Sequence, residues 1–433
     1  MASTPAPLRL GIAGLGTVGG GALRLLERHA ELLASRAGRR VVVAAVSARD
    51  KRKDRAVDLS AVRWFQDPAA MAVDPGVDIV LELIGGEGGA ARATVEAALR
   101  AKKPVVTANK ALIAHHGASL ARLAEENGVP LAFEAAVAGG IPVIKALREG
   151  LAANRLVRVY GILNGTCNYI LSTMREQKRE FGEVLAEAQK LGYAEADPSF
   201  DIDGIDAAHK LAILTSLAFG TEVDFSGVHV EGIRHVTALD IEYAAELGYR
   251  IKLLGIARAT EHGIEQRVHP TMVPLGTPIA HVEGVFNAVV AEGDFAGRVV
   301  LQGRGAGAEP TASAVVADVV DIAAGRLVPT FAVPAAALRR AETSPMERHR
   351  GAYYVRLMVL DKPGVIADVA AALRDETVSM EAMIQRGRAP GEAVPVVLTT
   401  HDTEEAGMRR ALATIGRLAT VLEEPRMIRI EHL

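Results

Sequence analysis

Residues 192–210, GYAEADPSFDIDGIDAAHK, place five carboxylates within 12 residues, Glu195, Asp197, Asp201, Asp203 and Asp206, and end on Lys210. Asp206 and Lys210 are spaced i,i+4, so on a helix they share one face. In water such a pair contributes on the order of a few tenths of a kcal/mol. The next ten residues, LAILTSLAFG, carry no charge. That favours a partly buried pair, the setting in which a lysine can be tuned for proton transfer. A calcium loop is excluded, because the D-x-D-x-D-G frame would begin at Ser199 and put Lys210 where a bidentate Glu is required. His209 reads as a packing or surface residue, and Cys167 in NGTCNYI as a small buried side chain.

Two further clusters could hold a ligand. Thr107-Ala-Asn109-Lys110 follows the strand-like PVV, at the carboxyl end of a strand where open α/β sheets bind their ligands. Taken alone it is equally a polar strand-to-helix turn. Gly14-Leu-Gly16-Thr17-Val18-Gly19 follows the apolar run LRLGIA and opens an amphipathic stretch. There the first Gly permits a tight turn, the second admits a pyrophosphate and the third allows close helix–strand packing, which predicts dinucleotide binding. The next strand, VVVAAV, ends in Ser47-Ala-Arg49-Asp50-Lys51. A carboxylate at this tip holds the ribose 2′-OH of NAD, whereas Arg accommodates the 2′-phosphate of NADP. Ser47 at the tip with Arg49 and Lys51 beyond it favours NADP, and Asp50 leaves NAD open; the bland alternative is a solvated basic loop.

These clusters need elements to position them. From residue 8 to about 133, LRLGIAG, VVVAAVS, VDIVLELIG, PVVTANK and PLAFEAAV read as strands, with helices near 18–34, 92–101 and 118–127. Continuous apolar strands alternating with helices predict a doubly wound, Rossmann-type parallel sheet. After Gly139-Gly140 longer helical patterns mix with strands, predicting an α+β domain for substrate binding that runs to about residue 302. GRGAGAEPTASAVVADVVDIAAG then predicts a Gly-rich turn and a helix returning to the first sheet. RRAETSPMERHR, residues 339–350, reads as a linker. The last 80 or so residues alternate β-α-β-β-α-β, the ferredoxin-like order. The expected division is 1–140 completed by 303–340, then 141–302, then 351–433.

Composition sets the outer bounds. The chain has 433 residues, 49% hydrophobic and 23% charged, with a net charge of −3. These values fit two or three globular domains and exclude a disordered or fibrous chain. The longest uncharged stretches are too short and too polar to span a bilayer, and no basic n-region precedes the first apolar run. One Cys permits no internal disulfide and no Cys-rich metal site. A cytoplasmic protein is expected, with no membrane and no nucleic-acid partner.

Together TANKALIA, FEAAVAGGIPVI, GILNGTCNYIL, AQKLGYAEADPSFDIDGIDAAHKLAIL and GRGAGAEPTASAVVADV resemble homoserine dehydrogenase over residues 8–340. The C-terminal module resembles an ACT domain, with Asp361-Lys-Pro363-Gly364 at its first strand-to-helix turn and Gln385 in its second strand. The resemblance implies reversible NAD(P)-dependent interconversion of L-aspartate 4-semialdehyde and L-homoserine, on the route to threonine and methionine. It assigns proton transfer to Lys210, helped by Asp206, and substrate contacts to Glu195, Asp201 and Lys110. It adds Lys110 and Gly307 as cofactor contacts to those expected from the motifs themselves, Gly14, Gly16, Thr17, Val18, Gly19, Arg49, Lys51 and Thr107. It also implies a monovalent cation such as sodium at Glu134, Val137, Gly139 and Ile141, a segment otherwise read as a Gly-rich hinge. ACT modules bind small amino acids, so threonine is the expected effector, with plain dimerisation as the alternative. A homodimer or homotetramer is expected. The rival readings are another NAD(P)-dependent amino- or hydroxy-acid dehydrogenase and a non-catalytic nucleotide and amino-acid sensor.

Overall fold

The computed structural model describes residues 5–53, 55, 57–386 and 389–433. Six parallel strands form the first sheet: β1 (Leu8–Ala13), β2 (Val41–Ser47), β3 (Arg63–Phe65), β4 (Ile79–Glu82), β5 (Val105–Thr107) and β6 (Leu131–Ala132). Their order is β3-β2-β1-β4-β5-β6, so the connection reverses between β1 and β4 and opens a crevice at their carboxyl ends. Helices α1 (Thr17–Arg28), α2 (Ala30–Ala37), α3 (Pro68–Val73), α4 (Gly89–Arg100) and α5 (Lys110–Glu126) cover it. Leu10, Ile12, Val80, Leu81, Val105 and Val106 are all buried, as strands covered on both faces require.

Three local readings change. The helix expected over 118–127 starts at Lys110, because the Asn109 side chain caps it by accepting from Leu112 N at 3.1 Å. PLAFEAAV is a strand only over Leu131–Ala132, and Glu134–Ala136 forms a 3₁₀ turn. The short β3 and α3 carry too few residues to show a period and add to the expected pattern.

The second sheet has 11 strands. After α6 (Val143–Lys145) come β7 (Leu156–Ile162), α7 (Gly165–Gln177), α8 (Phe181–Lys190), α9 (Ser199–Ile202) and α10 (Ile205–Phe219). Then follow β8 (His229–Val230), α11 (Ala238–Glu246), β9 (Tyr249–Thr260), β10 (Gly263–Pro274), β11 (Phe286–Gly293) and β12 (Gly297–Arg304). Helix α12 (Ala308–Ala323) packs on α1 so closely that a Cβ on Gly21 would lie 2.4 Å from the Ala308 carbonyl oxygen. The chain thus returns to the first sheet.

The C-terminal part holds β13 (Arg350–Leu360), α13 (Val365–Asp375), β14 (Met380–Gln385), β15 (Ala393–Thr400), β16 (Thr403–Glu404), α14 (Glu405–Ile415) and β17 (Arg426–Ile430). Its order β17-β13-β15-β14 is antiparallel and ferredoxin-like. It does not hang on a free linker. Strand β17 pairs in parallel with β10 at Thr271 with Arg429 and Met272 with Ile430. Residues 339–350 run along the body: Ile264 N donates to Glu342 O at 2.8 Å and Ser344 N to Ile264 O at 2.9 Å. Their polar composition reflects backbone pairing at the surface rather than mobility. Among the described residues no helix is long and apolar enough to cross a membrane.

Candidate active site

The Gly-rich turn sits at the crevice between β1 and β4. Gly14 has φ +98°, and a Cβ on it would lie 2.4 Å from the Leu83 carbonyl oxygen. A Cβ on Gly19 would lie 2.1 Å from Gly14 O, whereas nothing comes within 4 Å of one on Gly16. Gly14 therefore closes the turn against the end of β4, Gly19 closes it on Gly14 itself, and Gly16 leaves open space above the N-terminus of α1. That is the room a pyrophosphate needs, so these residues fit a dinucleotide.

A cavity of about 600 Å³ runs from this turn to the second sheet. Thr17, Val18 and Gly307 line one side, and Lys110, Glu195, Asp201, Asp206 and Lys210 the other. Asp206 lies in the first turn of α10, 4% exposed. Its Oδ2 accepts from Lys210 Nζ at 2.7 Å and from Asn164 Nδ2 at 2.8 Å, and its Oδ1 pairs with Lys110 Nζ at 2.9 Å. Burial alone would raise its pKa, but the Lys210 and Lys110 ammoniums overcome this and hold the carboxyl well below the usual range. Lys110 is itself raised: burial opposes its charge, and Asp206 more than offsets that. Lys210 Nζ also donates to Leu163 O at 2.7 Å. An ammonium has three N–H groups, so one remains for the cavity. The i,i+4 spacing is thus a buried pair that points one lysine N–H at the cavity.

Asp201 Oδ1 accepts from Asn164 Nδ2 at 2.9 Å and its Oδ2 from the Thr166 hydroxyl at 3.0 Å. Burial, then Asp206, raises its pKa. Residues 14–134 match the NAD-binding domain of homoserine dehydrogenases, and residues 142–320 match the homoserine dehydrogenase domain that follows. The chain is 49% identical to a homoserine dehydrogenase of Pseudomonas aeruginosa over 99% of both chains. The chain belongs to the homoserine dehydrogenase family. It also superposes on a homoserine dehydrogenase of Thiobacillus denitrificans with a TM-score of 0.93 at 48% identity, covering 98% of each chain. A hyperthermophilic archaeal homoserine dehydrogenase solved with NADPH covers 75% of this chain and 100% of its own, at 27% identity and a TM-score of 0.64. The protein is an NAD(P)-dependent oxidoreductase that interconverts L-aspartate 4-semialdehyde and L-homoserine.

Beyond the glycines of the turn, the residues expected to meet substrate and cofactor fall into three groups. Lys210, Asp206, Asp201, Lys110, Glu195, Thr17, Val18 and Gly307 meet at one cavity. Arg49 and Lys51 are exposed beyond the tip of β2, with Lys51 Nζ 5.9 Å from the Trp64 ring centre. Thr107 is fully buried and away from the cavity lining; its hydroxyl donates to Glu82 Oε2 at 2.7 Å. Its side chain therefore shapes the crevice floor.

In the cation segment, the buried Glu134 carboxylate accepts from Ile144 N and Lys145 N, each at 2.9 Å. Burial and then Asp318 push its pKa up to about 7. Ile141 O accepts from Val143 N at 2.7 Å, and Gly139 packs on Gly305. Among the described residues no group of three or more His, Cys, Asp or Glu is spaced to hold a metal. The donors here are one carboxylate and backbone carbonyls, a set that suits a weakly charged hard cation.

Asn164 is a further site residue: it joins both site aspartates and caps α7 by accepting from Cys167 N at 2.8 Å. Its signal was present, an Asn directly before a Gly-Thr-Cys helix start. His209, read as packing or surface, stacks on Phe225 with ring centres 4.3 Å apart and places Nε2 3.2 Å from His115 Nε2. Cys167 is fully buried, as expected.

Proposed function

We propose that Lys210 is the proton donor and acceptor of the reaction, with Asp206 holding it and Lys110 in register. The observation that carries this reading is the single buried carboxylate bridging two lysines on the wall of the cavity that also meets the Gly-rich turn. When bound, the nicotinamide cofactor supplies or removes hydride at the carbon bearing the substrate oxygen. In the oxidative direction Lys210 takes the hydroxyl proton, and in the reductive direction it returns a proton to the aldehyde oxygen. Lys110, one helix residue beyond the Asn109 cap, contributes positive charge beside the same oxygen. Glu195 meets the substrate ammonium, and Asp201 adds a polar contact through the lattice of Asn164 and Thr166.

NADP is the preferred cofactor. Arg49 and Lys51 are exposed past Ser47, while Asp50 Oδ1 is turned into its own loop, accepting from Arg52 N at 2.8 Å. The archaeal relative solved with NADPH supports the same choice. A monovalent cation such as sodium sits at Glu134, Val137, Gly139 and Ile141. Three carboxylates, Glu134, Asp318 and Asp321, lie about the one ammonium of Lys145, so added positive charge is favoured there. We assign residues 1–140 with 303–340 to the cofactor, 141–302 to substrate and dimer contacts, and 351–433 to regulation as an ACT domain. A cavity of about 300 Å³ lined by Asp361, Lys362, Pro363 and Gln385 suits threonine as effector. A cytoplasmic homodimer or homotetramer completes the reading.

Spectrophotometric oxidation of L-homoserine with NADP and with NAD, with and without millimolar threonine, tests the assignment. Faster turnover with NADP and inhibition by threonine are expected. Equal use of both cofactors would remove the role of Arg49 and Lys51, and an unchanged rate would remove the effector.

A further inference from the structure

Glu82 ends β4 at the switch point, fully buried. Burying a carboxylate is costly unless hydrogen bonds or charges compensate it. Among the described residues its partners are all uncharged. Oε1 accepts from Ile84 N at 2.8 Å and Gly85 N at 3.2 Å, and Oε2 accepts from the Thr107 hydroxyl at 2.7 Å. The carboxylate thus spans two strand ends, β4 and β5, beneath the crevice.

One end of this span leads to a glycine turn, the other through α5 to Lys110 on the cavity wall. On one side lies the turn at Gly85 and Gly86, with φ +87° and +86° and open space above both. On the other, the Thr107 oxygen accepts from Asn109 N at 3.0 Å, and Asn109 caps α5. The Asn109 side chain closes the ring by donating from Nδ2 to Gly86 O at 2.7 Å. The next residue is Lys110, whose Nζ reaches Asp206. One carboxylate therefore sets a glycine turn of the nucleotide side and the helix start that aims Lys110.

We propose that Glu82 is a positioning residue for the reaction, acting through Thr107 and Asn109 to fix Lys110 against Asp206. This rests on the reading of Lys110 as a substrate-side group. Misplacing a reacting group by about 1 Å costs about 10²-fold in rate. A hydrogen-bond chain of this kind acts as a unit, so its members are non-additive with the group they aim.

The test compares kcat and KM for L-homoserine, at saturating NADP, in Thr107→Val, Thr107→Ser, Glu82→Ala, Lys110→Ala and Thr107→Val/Lys110→Ala. Thr107→Val removes both bonds of the hydroxyl, to Glu82 Oε2 and from Asn109 N, but leaves the Glu82 contacts to Ile84 and Gly85, so it disturbs the fold less than Glu82→Ala. On the native background Thr107→Val lowers kcat/KM by about 10-fold or more, with unchanged circular dichroism, while Thr107→Ser restores it to within about 3-fold. On the Lys110→Ala background Thr107→Val changes kcat/KM by less than about 2-fold. An equal loss on both backgrounds overturns the action through Lys110. A folded Thr107→Ser that stays as impaired as Thr107→Val also overturns the proposal. Normal turnover in Lys110→Ala would instead overturn the substrate-side reading of Lys110 itself.

Discussion

Replacing Lys210 by Ala removes the proton carrier while leaving the Gly-rich turn intact. We expect kcat to fall by about 10³-fold, with the affinity for NADPH held within about 3-fold, checked by steady-state kinetics and fluorescence titration. A variant that loses both would place Lys210 in the fold rather than the chemistry. Next to it, burial, and then the charges of His115 and Lys110, press His209 down to about 4. Around it lie Phe200 and Phe225, with Glu87 beyond His115. Its folded value lies below the unfolded value of about 6.5, so as pH falls the unfolded chain binds this proton first and stability declines between those two values. His209→Gln should shrink the loss of urea stability between pH 7 and 5 by on the order of 1 kcal/mol. An unchanged pH slope would show that His209 is readily protonated in the fold.

At the scale of elements, the turn between β1 and α1 tolerates no side chain at its first glycine. Gly14→Ala must place a Cβ against the Leu83 carbonyl at φ +98°. Strain of this kind costs about 1–3 kcal/mol and shifts the turn, so NADPH affinity should drop by about 10-fold or more. Unchanged affinity would show that the turn yields. The parallel strands and the Gly-rich turn were readable because apolar runs and glycine spacing are local signals. So was the Asp206 to Lys210 pair, since helix periodicity places both on one face and the run after them announces burial. The early start of α5 was not, because Asn109 reads as part of a polar turn until its cap to Leu112 N is seen. Nor was the role of Glu82, an isolated carboxylate in VLELIGG whose partners come from Thr107 on another strand. The turn after β6 was misjudged for the same reason: Glu134 is held by amides of residues 144 and 145, and by Asp318 across the chain.

Across the whole molecule, the C-terminal part is built into the body by buried charge. Arg429, 1% exposed, donates to Glu405 Oε2 at 2.7 Å within its own part and to Glu231 Oε2 at 2.8 Å across the junction. Arg267 reaches Glu431 at 2.7 Å and Glu265 at 2.6 Å, and Arg356 reaches Asp240 at 2.7 Å. Glu231 is followed by Gly232 and Ile233, and Ile233 N donates to Ile202 O at 2.9 Å in α9, the helix that carries Asp201. Removing Arg429 takes the innermost partner from Glu405, which keeps Arg409 at 2.7 Å, so Arg429→Met should cost about 1–3 kcal/mol in denaturant unfolding. Because β10 and β17 share one sheet, the variant should still unfold in a single transition. A chain ending at residue 349 should fare worse: it would leave Asp240 without Arg356, Arg267 without Glu431, and the β10 edge open to other chains. Expression and gel filtration of that fragment should give aggregate, whereas a monodisperse and active fragment would show that the sheet junction is dispensable to the catalytic body.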